Sequence, residues 1–350
     1  MKRLPKYSRF LIGLTGLAMM GMFAGCEGKA DNTVAAMQQM QELDYNAALT
    51  ELQAAAAAGE NERLIARGQG IAYLGLADYT NAIACLEKAL QSSDGFIQPI
   101  DYDLNFYLAA AYAKSGQLAE AEKIYNAILD LKSDEEAYFL RGTVRLEQNE
   151  YEGAKADFDQ VIAMDSTNYD RLIQIYQALD TYGYKEVGRQ YLMDCLEKNS
   201  GKMSNYDNGR MYYYLGEYEQ AYMILEKAKA KGDANTYLYL GKAYEATGDY
   251  NYASSVYNSW LAKDTSNAEI YNQLGLCEMK KGNYQSAFNA FQAGLQIEDN
   301  PVMQALAFNE IVACEYLEDY TQAASLMENY LRSYPDDEQA KREYAFLKTR

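Results

Sequence analysis

Histidine is missing from all 350 residues. That removes the Ser-His-Asp and Cys-His nucleophilic arrangements and every His-ligated zinc site. Proline is scarce, at 4 residues, and there is a single Trp. No Gly-x-x-x-x-Gly-Lys phosphate loop occurs, and Gly68-Gln69-Gly70 has neither a third Gly nor a preceding strand, so it is no dinucleotide loop. Positive charge is short as well: 32 basic against 50 acidic residues give −18. A body so acidic disfavours nucleic acid and is repelled by anionic lipid headgroups. Asp157 and Asp159 flank Phe158 without calcium-loop spacing. The inventory points away from catalysis and implies no cofactor and no metal.

The N-terminus has a different composition. Lys2, Arg3, Lys6 and Arg9 precede an uncharged apolar run, Phe10 to Phe23, and then Ala24-Gly25-Cys26. This is the layout of an export signal, and it is set aside from the fold. The small pair before Cys26 resembles a bacterial lipobox, in which that Cys is lipidated and becomes the mature N-terminus. The resemblance implies a signal peptide over 1–25, a lipidated Cys26 with a short tether over 26–32, and a protein exported and anchored to the outer side of a bacterial membrane. Cleavage there leaves 28 basic and 50 acidic residues, so lipid rather than charge would hold the protein at the membrane. The other cysteines, Cys85, Cys195, Cys277 and Cys314, match no zinc spacing and fall at apolar helical phases, as small buried hydrophobes do.

What the chain has in abundance is a repeated phrase: Gly/Asn-Asp/Glu-Tyr, two residues, then Ala. It recurs at Tyr45…Ala48, Tyr79…Ala82, Tyr151…Ala154, Tyr218…Ala221, Tyr250…Ala253, Tyr284…Ala287 and Tyr320…Ala323, with weaker copies at Leu118…Ala121 and Tyr184…Val187. Successive anchors lie 34, 39, 33, 33, 34, 32, 34 and 36 residues apart. A period near 34 predicts a stack of helical hairpins, a quasi-one-dimensional array with an extended binding surface. The 39-residue step predicts a loop insertion over about 92–101.

Upstream of the phrase stand Tyr237…Leu240-Gly241…Tyr244, Tyr271…Leu274-Gly275, Gly70…Tyr73 and Gly209…Tyr212. Four residues after the Ala stand Leu86, Tyr125, Phe158, Tyr191, Leu225, Tyr257 and Phe291. Together these residues resemble the tetratricopeptide repeat (TPR) family over roughly 33–335. The resemblance implies an all-α, right-handed superhelical solenoid of about nine hairpins, with 336–350 as a C-terminal capping helix. The fifth repeat departs from the motif, lacking the Gly and carrying Val187 for the Ala, and is expected to pack loosely or bend the array.

In such arrays one face of each first helix lines the concave groove. Carried onto this sequence, that face includes Phe106, Phe139, Tyr169, Tyr176, Tyr206, Arg210, Tyr213, Lys242, Phe308 and Tyr316. Aromatics with an occasional cation suit a protein or peptide partner. The scattered Arg67, Lys114, Arg210 and Lys242 do not make the cluster that clamps a partner's terminal carboxylates. The expected function is a non-catalytic, membrane-anchored scaffold binding other envelope or secreted proteins. The alternative is a surface receptor holding glycan or a small solute in an aromatic groove.

Overall fold

The computed structural model describes residues 32–92, 96–298 and 300–350. The signal segment and Cys26 lie outside them. The described residues form nineteen α-helices and no strand. They alternate as first and second helices of hairpins: α1 (Asn32–Gln41) and α2 (Tyr45–Ala57), α3 (Glu62–Gly75) and α4 (Tyr79–Gln91), α5 (Pro99–Lys114) and α6 (Leu118–Leu131), α7 (Glu135–Glu147) and α8 (Tyr151–Met164), α9 (Tyr169–Thr181) and α10 (Lys185–Asn199). Then follow α11 (Asn205–Leu215) and α12 (Tyr218–Ala228), α13 (Ala234–Ala246) and α14 (Tyr250–Leu261), α15 (Ala268–Lys280) and α16 (Tyr284–Leu295), α17 (Met303–Tyr316) and α18 (Tyr320–Ser333), and a last helix, α19 (Glu338–Leu347). Pro99 opens α5, so of the expected loop the residues from 99 to 101 are helical. Proline is tolerated at this first helical position because its missing N–H would be unpaired anyway. The described residues divide into two compact units, those up to Tyr107 (unit 1) and those from Leu108 on (unit 2).

The repeated phrase builds the turn. Its Tyr is the first residue of the second helix. Where the preceding residue is Asp, as at Asp44, Asp78, Asp249 and Asp319, its carboxylate accepts the N–H three residues on and caps the helix. Glu150 and Glu217, one methylene longer, make no such bond. The residue before the cap has a left-handed backbone in all nine hairpins: Gly at 116, 183, 216, 248 and 282, and Leu43, Ala77, Asn149 and Glu318 elsewhere. That explains why Gly or Asn recurs there.

Seven of the nine hairpins then lock by one small-to-large contact between residues sixteen apart; in the ninth, α17–α18, buried Ile311 stands at the small position opposite buried Met327. Ideal Cβ atoms built at Gly142 and Gly275 would collide with the rings of Phe158 and Phe291. Gly70 and Gly209 face Leu86 and Leu225 in the same way, and Gly241 faces Tyr257. The large partners are sealed: Leu86, Phe158, Leu225, Tyr257 and Phe291 are fully buried. Ala36 and Ala109 take the small position opposite buried Leu52 and Tyr125.

The fifth hairpin, α9–α10, reverses this arrangement. Ile175, itself buried, occupies the small position, so Tyr191 cannot enter. The buried face of α10 moves on by one residue, to Gly188, Leu192, Cys195 and Leu196. The small residue now sits on the second helix, where a Cβ at Gly188 would lie 3.0 Å from Tyr176 Cδ2. The expected loss of a small residue is thus corrected: Gly188, not Val187, supplies it. Tyr191 turns out to donate its hydroxyl to Asp159 at 2.6 Å, beside a cleft of ≈ 240 Å³ lined by Asp159, Asn168, Asp194 and Lys198. Leu192→Ala is therefore expected to cost about 2–5 kcal/mol in urea unfolding, as for a buried Leu. Tyr191→Ala should cost clearly less, the reverse of what the motif alone would give.

At the end of unit 2, α19 packs on α18. Burial, and then the charge of Glu343 on α19, push the Glu315 carboxyl on α17 up to about 7 from its ordinary 4.5. The folded state therefore keeps a proton that the unfolded chain releases near 4.5. This contribution to stability is complete below that value and is lost as pH rises towards about 7. Hydrogen exchange of α19 should accelerate across that window. Glu315→Gln should flatten the profile relative to wild type.

Candidate functional site

Within unit 2 the first helices touch not only their own hairpin partners but also one another: α7 with α9, α9 with α11, α11 with α13, α13 with α15 and α15 with α17. A polar and aromatic belt runs across them. Arg171 of α9 pairs with Glu135 at 3.2 Å and with Glu136, both on α7, and lies 4.3 Å from the Phe139 ring centre. Arg210 of α11 pairs with Asp170 of α9 at 2.6 Å and with Asp207 at 2.9 Å. Its guanidinium lies over the rings of Tyr206, at 4.4 Å, and Tyr239 of α13, at 5.8 Å. Burial alone would lower the pKa of Arg210; the hydrogen bond and charge of Asp170, together with Tyr206 and Tyr239, outweigh it and hold the charge firmly.

Tyr239 is the hub. The edges of Tyr206 and Tyr213 meet it at 6.2 and 5.6 Å. Its hydroxyl shares a 2.9 Å hydrogen bond with that of Tyr214, which also receives Gln177 of α9 at 3.0 Å. Burial pushes the hydroxyls of Tyr206 and Tyr213 up to about 12, so both stay neutral. Lys242 of α13 donates to Glu269 of α15 at 2.9 Å, and Asn309 of α17 donates to Asn272 of α15 at 2.9 Å. Every first helix from α7 to α17 is thereby joined to the next by a side-chain contact.

The structure brings Phe139, Tyr176, Tyr206, Arg210, Tyr213 and Lys242 onto this belt. Tyr176 is almost fully enclosed, tilted against Tyr214, and Tyr169 is half-buried at the start of α9. Phe308 meets Tyr330 edge-on at 5.7 Å. Tyr316 is exposed and stacks at 4.8 Å on Tyr284, a turn residue of the preceding hairpin. Phe106 belongs to unit 1 and is buried. Sequence reasoning missed Tyr239, Tyr214 and the carboxylates Asp170, Asp207 and Glu269. No spacing distinguished them from ordinary packing or surface residues.

Among the described residues no group of His, Cys, Asp or Glu could hold a metal ion. Cys85, Cys195, Cys277 and Cys314 are free thiols. Burial raises the pKa of each, which makes them poor nucleophiles. No helix of the described residues is long and apolar enough to cross a membrane.

A family profile described as Tetratricopeptide repeat matches residues 67–137 and 238–301, and a second of the same description matches residues 135–168. The chain belongs to the tetratricopeptide repeat family. The TPR fold also appears in yeast Tom70, which aligns at TM-score 0.51 and 15% identity over 91% of this chain and 87% of that one. Among curated relatives, the BBSome complex member bbs-4 of Caenorhabditis elegans is 25% identical over 190 residues, 51% of this chain and 41% of that protein. RNA polymerase II-associated protein 3 of Homo sapiens is 25% identical over 195 residues, 51% of this chain and 29% of that protein. The chain thus matches less than half the length of either. TPR proteins are in general non-catalytic scaffolds that bind proteins or peptides, and none of these names denotes an enzyme.

Proposed function

We propose that this chain is a membrane-anchored adaptor. Lipid on Cys26 would hold it on the outer side of a bacterial membrane, and the first-helix belt would hold envelope or secreted proteins. The observation that carries the reading is the belt itself. Tyr206, Tyr213, Tyr239 and Phe139 remain half-buried rather than sealed, and they are held by contacts with one another's rings or with buried cations. Rigid aromatic side chains lose little entropy on binding and are favoured anchors at interfaces.

Two measurements test it. A benzophenone side chain replacing Tyr213 in native membranes should capture one discrete protein; silence there and at Phe308 would overturn the belt as the binding face. Cys26→Ser should move the protein from the membrane to the soluble fraction, and unchanged fractionation would remove the lipid anchor.

A second reading, a receptor for glycan, is favoured by one feature: Tyr316 is 57% exposed and already stacked on Tyr284, the kind of platform on which a sugar ring packs. Calorimetric titration with wall fragments and dietary glycans would give no heat if this reading is wrong.

A further inference from the structure

We infer that the partner segment held by the belt is basic, with arginine or lysine side chains as its anchors. The inference rests on the belt being the binding face and concerns what that face recognises.

The cations of the belt are sunk, and three of its five carboxylates stand further out. The side chains of Arg210, Arg171 and Lys242 are 9%, 16% and 23% exposed. Their partners Asp170, Glu269 and Glu136 are 73%, 42% and 34% exposed. The three cations are met by five carboxylates, Glu135, Glu136, Asp170, Asp207 and Glu269. An approaching chain therefore meets negative charge first. An acidic peptide would have to displace Asp170 or Glu269 from a bond already made, then face the surplus carboxylate. A basic peptide meets no such competition, because each outer carboxylate has oxygen lone pairs left for a second donor.

The rings add to this preference. Tyr206, Tyr239 and Phe139 already hold guanidinium or ammonium groups against their faces, the arrangement in which an aromatic ring attracts a cation. The chain as a whole carries −18, so a basic segment is drawn in from a distance, and more strongly at low salt.

The test uses the full chain in detergent and two fluorescein-labelled peptides, one of alternating Arg and Gly and one of alternating Glu and Gly, read by anisotropy at low and high salt. The Arg peptide should bind and the Glu peptide should not. Combining Asp170→Asn with Glu269→Gln should weaken the Arg peptide about fivefold, as expected for the loss of two exposed charge pairs. Glu152→Gln with Glu219→Gln removes the same net charge from exposed positions on the second helices α8 and α12 and should leave binding within about twofold. If Asp170→Asn lowers the melting temperature by releasing Arg210, Glu269→Gln alone carries the comparison. Equal losses from both pairs would mean attraction to a generally acidic body and would overturn the inference. Tighter binding of the Glu peptide would overturn it as well. Capture of an acidic partner segment at Tyr213 would reject the basic chemistry while leaving the adaptor reading in place.

Discussion

Asp157→Ala is expected to destabilise the fourth hairpin by about 3 kcal/mol, the lower part of the range for breaking a buried ion pair. Asp157 is nearly sealed on α8, its side chain 3% exposed. It accepts both the Nε and Nη2 of Arg141, at 3.0 and 2.6 Å, and Nη1 of Arg145 at 2.9 Å. Truncation would leave two guanidinium groups on α7 facing an empty space. Arg145 would retain Glu122 of α6 at 2.8 Å, but Arg141 would keep no direct ion pair, holding the neutral Asn126 at 2.6 Å and the Tyr138 ring at 5.5 Å. That residual support is why the lower figure applies. Hydrogen exchange should place the loss in residues 135–164, because a repeat array can open locally. Asp157→Asn preserves the shape without the charge and should recover part of the loss. A change below about 1 kcal/mol for the Ala variant would mean that the three charges do not act as one buried network.

Gly241→Leu is expected to cost roughly 1–3 kcal/mol or more through overpacking. Even a bare Cβ at Gly241 would intrude on the ring of Tyr257. That ring has nowhere to go. It is fully buried, and its hydroxyl donates to Glu245 on the same helix as Gly241. Removing the obstacle should relieve the strain, so adding Tyr257→Ala to Gly241→Leu should cost less than the two single losses added together. Such coupling is expected for residues in direct contact. Strict additivity in urea unfolding, or an unchanged melting curve for Gly241→Leu, would count against the sixteen-residue contact as the lock of these hairpins.

The phrase around each turn was legible because it is a backbone requirement: a left-handed residue, a cap, then a helix. Any sequence making that turn must carry much the same letters, so nine copies could be aligned by eye. The fifth hairpin was read less well for the same reason. A motif assigns Gly to the first helix and an aromatic to the second, but packing demands only that one be small where the other is large. Ile175 and Tyr176 with Gly188 and Leu192 satisfy that demand from the opposite side. The belt was half legible. Tyr206, Arg210, Tyr213 and Lys242 could be placed on one face by helical phase. That Arg210 and Lys242 are covered by Asp170 and Glu269 could not, because the covering residues come from neighbouring hairpins and no periodicity links them. The meaning of those cations changes accordingly: they are braces between helices rather than free hands.

Because the lock in seven of the hairpins joins residues only sixteen apart, little loop entropy has to be lost before the first stabilising contacts form there. Chains dominated by such short-range contacts collapse quickly, and each hairpin can form as soon as its own roughly thirty residues are available. A chain of this kind can order itself piecemeal while its far end is still being made. Delay would fall at the fifth hairpin, whose reversed packing gives it neighbours of the ordinary kind on both sides and no exact counterpart to pair with in their place. There α10 presents a face shifted by one residue, so the contact that seals the ordinary hairpins does not serve this one.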